Sequence, residues 1–500
     1  MSNEARPSET FLGLDIGTSS VKALLIDIDQ QVVADVSTPL TLSRPHPLWS
    51  EQNPLDWVEA VEAAVAAIRR QAPDAFARLA GIGLSGQMHG ATFLDAAGKP
   101  LRPAILWNDV RAFAECAELE RRVPDLRRRT GNIAMPGFTA PKALWAATHE
   151  PQVFAATKRI LLPKDYVRLR LTGEAVSDMS DASGTLWLDV GKRRWDNELL
   201  AATGLNLSHM PSLVEGSEIS AYLSPEVAAA WGLAGRRVPV AGGAGDNAAA
   251  AVGVGAVAPG AGFVSVGTSG VVFSVTDRFV CLPERTLHAF CHALPNRWHG
   301  MAVNLSAAAA LTWIAELLKR GDDVGGCVAD AEAFAKSAKA VETAPVFLPY
   351  LSGERTPHND AGATGMFAGL RAEHDAGALI YAVLEGVAFN FADGVDVLTE
   401  AGARPKATML VGGGARSALW GQLIADATGL TIDLAAGAEA GAALGAARLA
   451  MLAAGAGDEA TVCKRPPTQR QFAPEAARAA LLAPRLRRFR ALYPAEKTTR

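Results

Sequence analysis

The stretch FLGLDIGTSSVKALLIDID, Phe11 to Asp29, reads as an apolar strand, a Gly-Thr-Ser turn and a second apolar strand. The same order returns in GFVSVGTSGVVFSVTD, Gly262 to Asp277, so Gly17-Thr18-Ser19 is matched by Gly267-Thr268-Ser269. Glycine lets backbone N–H groups approach an anion closely, and the adjacent hydroxyls add uncharged donors. One such turn alone would read as an ordinary hairpin, where Gly, Ser and Thr are also favoured. Two copies, the first preceded by the carboxylate of Asp15, point to a duplicated unit with a two-jawed phosphate site.

Around the first copy, Phe11 to Ile16, Val21 to Ile28 and Gln31 to Val36 predict a three-stranded meander, because only short turns separate them. After Asn53-Pro54 the period changes. Trp57, Val58, Val61, Val65 and Ile68 fall on one helical face, and a strand follows at Leu79 to Leu84. The second half predicts strands over Gly262 to Val275 and near Trp298 to Val303, then a helix from Ser306 to Leu318. A long helix runs from Leu379 to Leu398 and is stopped by Gly402 and Pro405. A short strand at Met409 to Val411, the turn Gly412-Gly413-Gly414 and a helix from about Ser417 complete the pattern, with a linker between Gly253 and Gly262.

The chain has 500 residues, more than one core usually organises, so two large domains are expected. Forty-eight basic and 52 acidic residues leave a formal net charge of −4, which argues against nucleic acid or an anionic membrane as the main partner. Arg127 to Arg129 and Arg485 to Arg490 read as solvated helix faces. The five cysteines (Cys116, Cys281, Cys291, Cys327, Cys463) form no C-x-x-C pair and indicate a reducing compartment. Met1 to Thr10 is polar, unlike a signal peptide, and the apolar stretch Leu434 to Gly455 is interrupted by Glu439 and Arg448. A soluble cytoplasmic protein is the expectation.

In AGGAGDNAAAAVGVG, Ala241 to Gly255, Asp246 follows a glycine-rich turn and precedes small residues. That places a carboxylate at a helix start while backbone can approach a ligand, and it equally fits a plain helix cap.

With these features the chain resembles the FGGY carbohydrate kinases over nearly its whole length. The likeness is carried also by the two signature regions GFTAPKALWAATH, Gly137 to His149, and GMFAGLRAEHDAGALIYAVLE, Gly365 to Glu385. Ala143, Ala146 and Ala378 depart from the usual pattern at positions read as packing. The resemblance implies an α/β fold of two ribonuclease H-like, actin-like ATPase domains with a catalytic cleft between them. Domain one would cover 11–255, with the sugar and first phosphate loop. Domain two would cover 262–455, with the second phosphate loop and adenosine site, followed by a helical extension over 456–500.

For the site, the resemblance implies ATP contacts from Gly17, Thr18, Ser19, Ser20 and Lys22, from Gly267, Thr268 and Ser269, and from Gly412, Gly413, Gly414 and Ser417. Asp246 takes the role of catalytic base, and Asp15 holds Mg2+, in an in-line phosphoryl transfer. Within the family, GLSGQMHG (Gly83 to Gly90) resembles the branch acting on the ketose D-xylulose, where glycerol kinases show Gln-Arg-Glu. Gln87, Met88 and His89 would then form the sugar floor, with Trp107 and Asn247 as further candidates; Trp107 reads equally as core. SRPHPLWSEQ, AILWNDVRA, LPKDYVRLRLTGE, SDMSDASGTLWLDV and LPYLSGERTPH carry the same likeness. Dimers are common in the family, which makes a homodimer the candidate assembly; Gly441 to Ala454 reads equally as packing inside the domain or across subunits.

His288, Cys291, His292 and His299 crowd one region without a familiar zinc spacing. HAFCHALP reads as extended, and alternation separates His288 from Cys291, so structural histidines are expected there.

Overall fold

A computed structural model describes residues 9–435 and 441–500. Glu439 and residues 1–8 lie outside the described residues.

The meander forms as expected. Strands Thr10–Ile16, Ser20–Asp27 and Val32–Pro39 pair antiparallel in chain order. Asn53 then caps the helix Pro54–Gln71, its side-chain oxygen accepting from the Leu55 N–H at 3.3 Å, with proline in the first turn where a missing N–H costs nothing. Trp57, Val61, Val65 and Ile68 bury the apolar face in one core with Leu12, Leu14 and Leu25. The chain returns as Leu79–Gly86, parallel to the first strand, and much later as Pro239–Ala241, parallel to that one.

The second sheet repeats this order. Ala261–Val266 and Gly270–Thr276 form its hairpin, and Trp298–Asn304 pairs antiparallel beyond it. Ala407–Val411 lies parallel on the other side, followed by Ile432–Ala435. Both sheets therefore share one directional pattern, with each Gly-Thr-Ser turn at the tip of its first hairpin. The helices Ala308–Leu317, Ala376–Glu400 and Ala418–Thr428 enter the core of this half, and Gly402 ends the long one at φ +74°. Ala376–Glu400 is long and apolar enough to cross a membrane, but its apolar length is spent inside that core.

Helix Gly441–Ala453 packs on the first sheet, not within the second. Its backbone comes so close that a Cβ on Gly13 would sit 2.0 Å from the Ala443 oxygen, and one on Gly83 1.8 Å from the Ala446 oxygen. Helix Asp246–Gly253 lies against the same helix, sharing a core with Phe11, Ala443 and Ala447. Its place is thus inside the chain, which answers the choice the composition left open.

Two expectations need correcting. Residues 456–500 are not purely helical: Thr468–Phe472 adds an antiparallel strand to the edge of the second sheet before helix Ala476–Thr499. Arg485 is not on a solvated face either. It is buried, with Nη2 2.6 Å and Nε 2.7 Å from the two oxygens of the buried Glu385, a partner too far along the chain for local patterning to reveal. Arg127, Arg128 and Arg129 pair with Glu120 and Asp125 on the surface of helix Leu126–Thr130, as a solvated face should.

Candidate active site

Three parallel strand ends build the floor of the site. In register, Asp15 lies beside Ser85, and Ser85 beside Ala244, so Gly245 and Asp246 emerge at the same edge. Carboxyl ends of parallel strands are where open α/β sheets place ligands. Ser85 donates its hydroxyl to Asp15 Oδ1 at 2.9 Å. Burial raises the Asp15 carboxyl above its ordinary range, partly offset by the Ser85 hydrogen bond and the Lys22 charge.

Asp246 is the first residue of helix Asp246–Gly253, but Gly245 occupies the cap and no side chain caps the helix. Its Oδ1 instead accepts from Asn247 at both the backbone N–H (2.7 Å) and Nδ2 (3.0 Å). The plain-cap reading therefore does not hold. Burial, and then the charge of Asp15, push the Asp246 carboxyl up to about 6, which makes it a stronger base that is still ionised at neutral pH.

Gln87 faces inward rather than into open space. Its Oε1 accepts from Thr18 Oγ1 at 3.0 Å, and its amide donates to the Gly17 carbonyl at 3.3 Å and to Gln52 Oε1 at 2.9 Å. Gln52 in turn donates to the Thr18 carbonyl at 2.7 Å and is held by Trp57 Nε1 at 3.0 Å. The first turn thus rests on a buried amide pair that fixes its backbone. Trp107 is 44 % exposed and donates from Nε1 to Thr18 Oγ1 at 3.0 Å, so it is a surface of the site and not core. Gly17, Thr18 and Ser20 are half-buried and Ser19 is exposed at the tip. Lys22, opposite Asp15 in register, pairs with Asp35 at 3.2 Å.

Met88 and His89 line the next wall. Met88 fills the space that side chains at Gly184 and Gly245 would need: a Cβ at Gly245 would lie 2.8 Å from its Cγ. His89 has φ +70°, and its carbonyl accepts from Thr139 Oγ1 at 3.1 Å and Lys142 Nζ at 2.8 Å. The first signature region therefore braces the histidine from helix Thr139–His149. His89 Nδ1 lies 2.7 Å from the Gly184 carbonyl, and its ring meets Phe138 edge-on at 4.6 Å. Burial, only partly offset by the Gly184 bond, pushes the imidazole down to about 3, so it is neutral.

The second turn sits on the other sheet. The Thr268 carbonyl accepts from the Ala307 and Ala309 N–H groups (3.0 and 3.2 Å), and the Gly267 carbonyl from Ala308 at 2.7 Å, which joins the turn to the start of helix Ala308–Leu317. Thr268 and Ser269 are exposed. Gly412, at φ +89°, abuts this turn: a Cβ there would lie 2.7 Å from the Val266 oxygen and 3.1 Å from the Gly267 nitrogen. Gly413 borders open space, Gly414 packs on Val266 and Trp420, and Ser417 caps helix Ala418–Thr428 through the Trp420 N–H at 3.2 Å.

His288 and His299 were expected to be structural, and both are buried, with His288 in strand His288–Cys291. His288, though, points toward the site, stacking on Phe290 at 5.7 Å and lying 5.8 Å from Phe138. The alternation of His-Ala-Phe-Cys, which puts His288 and Phe290 on one face, carried that signal. Ser85, Gln52 and Gly184 gave none, since their roles depend on register and loop contacts. Among the described residues no group of three or more His, Cys, Asp or Glu side chains is arranged to hold a metal.

With the geometry in hand, the sequence places the chain in a class. Residues 10–253 match the N-terminal domain and 262–454 the C-terminal domain of the FGGY family of carbohydrate kinases, and the chain belongs to that family. It is 50 % identical over 485 residues to the xylulose kinase of Escherichia coli K12, covering 97 % of this chain and 98 % of that one. It is 48 % identical to the xylulose kinase of Klebsiella pneumoniae, covering the same shares. The crystal structure of a xyloylose kinase from Brucella ovis superimposes with a TM-score of 0.94 at 50 % identity, covering 98 % of this chain and all of that one. The fold is the two-domain α/β fold of actin-like ATPases.

Proposed function

We propose that the chain transfers the γ-phosphoryl group of ATP to the C5 hydroxyl of D-xylulose, giving D-xylulose 5-phosphate and ADP, as a cytoplasmic step in xylose use. The observation that carries the mechanism is the alignment of Asp15 and Asp246 at strand ends on either side of the Ser85 strand, with Asp246 Oδ1 held by Asn247 and its other oxygen unpaired among the described residues. Half-identity over nearly the full length to the Escherichia coli xylulose kinase supports the choice of sugar.

Asp246 Oδ2 accepts the C5 hydroxyl proton as that oxygen attacks the γ-phosphorus in line, and ADP departs opposite. The Gly17–Ser20 and Gly267–Ser269 turns supply backbone and hydroxyl donors to the phosphates, and Gly412–Gly414 with Ser417 receives the adenosine. Gln87 holds the first turn from beneath. The donor set suits Mg2+: hard carboxylate oxygen on Asp15, with most coordination left to water and phosphate. When bound there, Mg2+ would neutralise charge on the phosphates.

His89 works as a neutral acceptor. A carbonyl can only accept, so Nδ1 carries the hydrogen toward Gly184 and Nε2 offers its lone pair to a sugar hydroxyl. Met88 gives an apolar wall, Asn247 a hydroxyl partner beside the base, and Trp107 a flat flank tied to the phosphate turn. Closure of the two halves would exclude water from the donor phosphate. An ADP-coupled panel of ketoses, polyols and sugar acids tests the substrate: D-xylulose should give the highest kcat/KM, and a preference for glycerol, gluconate or ribulose would replace it.

A further inference from the structure

Arg355, in the stretch LPYLSGERTPH, comes from the second half of the chain and has no role in the scheme above. Its backbone is pinned. The Arg355 N–H donates to Glu354 Oε1 at 2.7 Å, its carbonyl accepts from Thr286 Oγ1 at 2.7 Å and from the Asn359 N–H at 2.6 Å, and Thr356 Oγ1 donates to the Thr286 carbonyl at 3.0 Å. The segment is therefore fixed alongside the strand that carries His288 two residues on.

The guanidinium, in contrast, makes no hydrogen bond or ion pair with any described residue. Glu354, the nearest carboxylate in sequence, cannot take it: its oxygens accept from the Leu305 and Arg355 N–H groups and from Asn390 Nδ2. A half-buried guanidinium left with free donors is costly unless a ligand supplies acceptors. Its charge also reaches the rings of both His89 and His288, helping burial keep them neutral. Those rings flank Phe138, 4.6 and 5.8 Å from it. The charge that raises Asp246 is that of Asp15. Arg355 thus stands with the His89, Phe138 and His288 rings, on the side of the sugar site that they form.

The chemistry of the sugar says what stands there. A pentulose closes its ring through the C5 oxygen, so a C5 hydroxyl free to be phosphorylated requires the open-chain form, which exposes the C2 ketone. That oxygen only accepts, and a guanidinium only donates. We propose that Arg355 binds the C2 carbonyl of the open-chain ketose from the second half of the chain, so that the enzyme selects ketose over polyol. The inference rests on the proposed ketose kinase activity.

The test compares D-xylulose with D-arabinitol, which has the same skeleton with C2 reduced, used as a competitive inhibitor. Wild type should prefer the ketose. Arg355→Met should raise the KM for D-xylulose about tenfold or more, with the Ki of D-arabinitol and the KM of ATP moving less than about threefold. Arg355→Lys, which keeps a donor, should recover part of the loss. Nucleotide binding by calorimetry serves as the folding control, and if Arg355→Met binds none, Arg355→Lys carries the comparison. Equal loss toward both sugars, or no loss, would overturn the assignment. A wild type inactive on every ketose would instead remove the kinase reading, and this inference with it.

Discussion

His89 Nδ1 lies 2.7 Å from the Gly184 carbonyl oxygen, a contact between the turn after strand Leu79–Gly86 and the single 3-10 turn Ser183–Thr185, 95 residues further along the chain. It fixes one tautomer of a neutral imidazole and aims Nε2 as an acceptor. The absence of a side chain at Gly184 is what permits it: a Cβ there would lie 2.6 Å from that same nitrogen and 2.9 Å from Met88 Cε. Gly184→Ala should therefore raise the sugar KM about tenfold by displacing both residues, while nucleotide affinity stays near wild type. Steady-state kinetics against each substrate in turn reads this directly.

The acid limb of the pH profile belongs to Asp246. Its carboxyl, raised to about 6, must be ionised to take a proton, so kcat/KM should be level above that pH and fall about tenfold per unit below it. A profile with no inflection between about pH 5 and 7 would remove Asp246 as the titrating base.

Stability should respond to pH through the buried histidines. His292 donates from Nε2 toward the Ala256 carbonyl at 3.3 Å and accepts the Leu294 N–H at Nδ1 at 3.1 Å; burial and the Arg297 charge push it down to about 3. The unfolded chain takes up a proton at this residue below its ordinary value of about 6.5, and the folded chain does not until near 3. Its contribution is present above about 6.5 and is lost as pH falls. Between pH 7.5 and 5 the linkage amounts to about 2 kcal/mol. His292→Gln should flatten the drop in denaturant midpoint over that range by a comparable amount; an unchanged slope would contradict it.

Much of the molecule was legible in the sequence because its signals are local. The meander from Phe11 to Val36, the helix spaced by Trp57, Val61, Val65 and Ile68, and the duplicated Gly-Thr-Ser turn all follow from period and turn chemistry. Asp246 at a helix start was legible too, although its side chain turns to Asn247 rather than capping. What could not be read depends on distant pairing. Gly441–Ala453 reaches back to Gly13 and Gly83, Arg485 finds Glu385, and Ser85 meets Asp15 only through strand register. Gln87 was placed on the sugar floor from its neighbours Met88 and His89. Its alternation along the strand end turns it beneath the Thr18 turn instead.

The most direct test of the account is Asp246→Asn, which keeps the shape of the side chain and removes its basicity. Turnover of D-xylulose should fall by about a thousandfold or more, with the affinities for ATP and sugar, measured by calorimetry, changing less than about threefold. Turnover within about tenfold of wild type would contradict the assignment of Asp246 as the base.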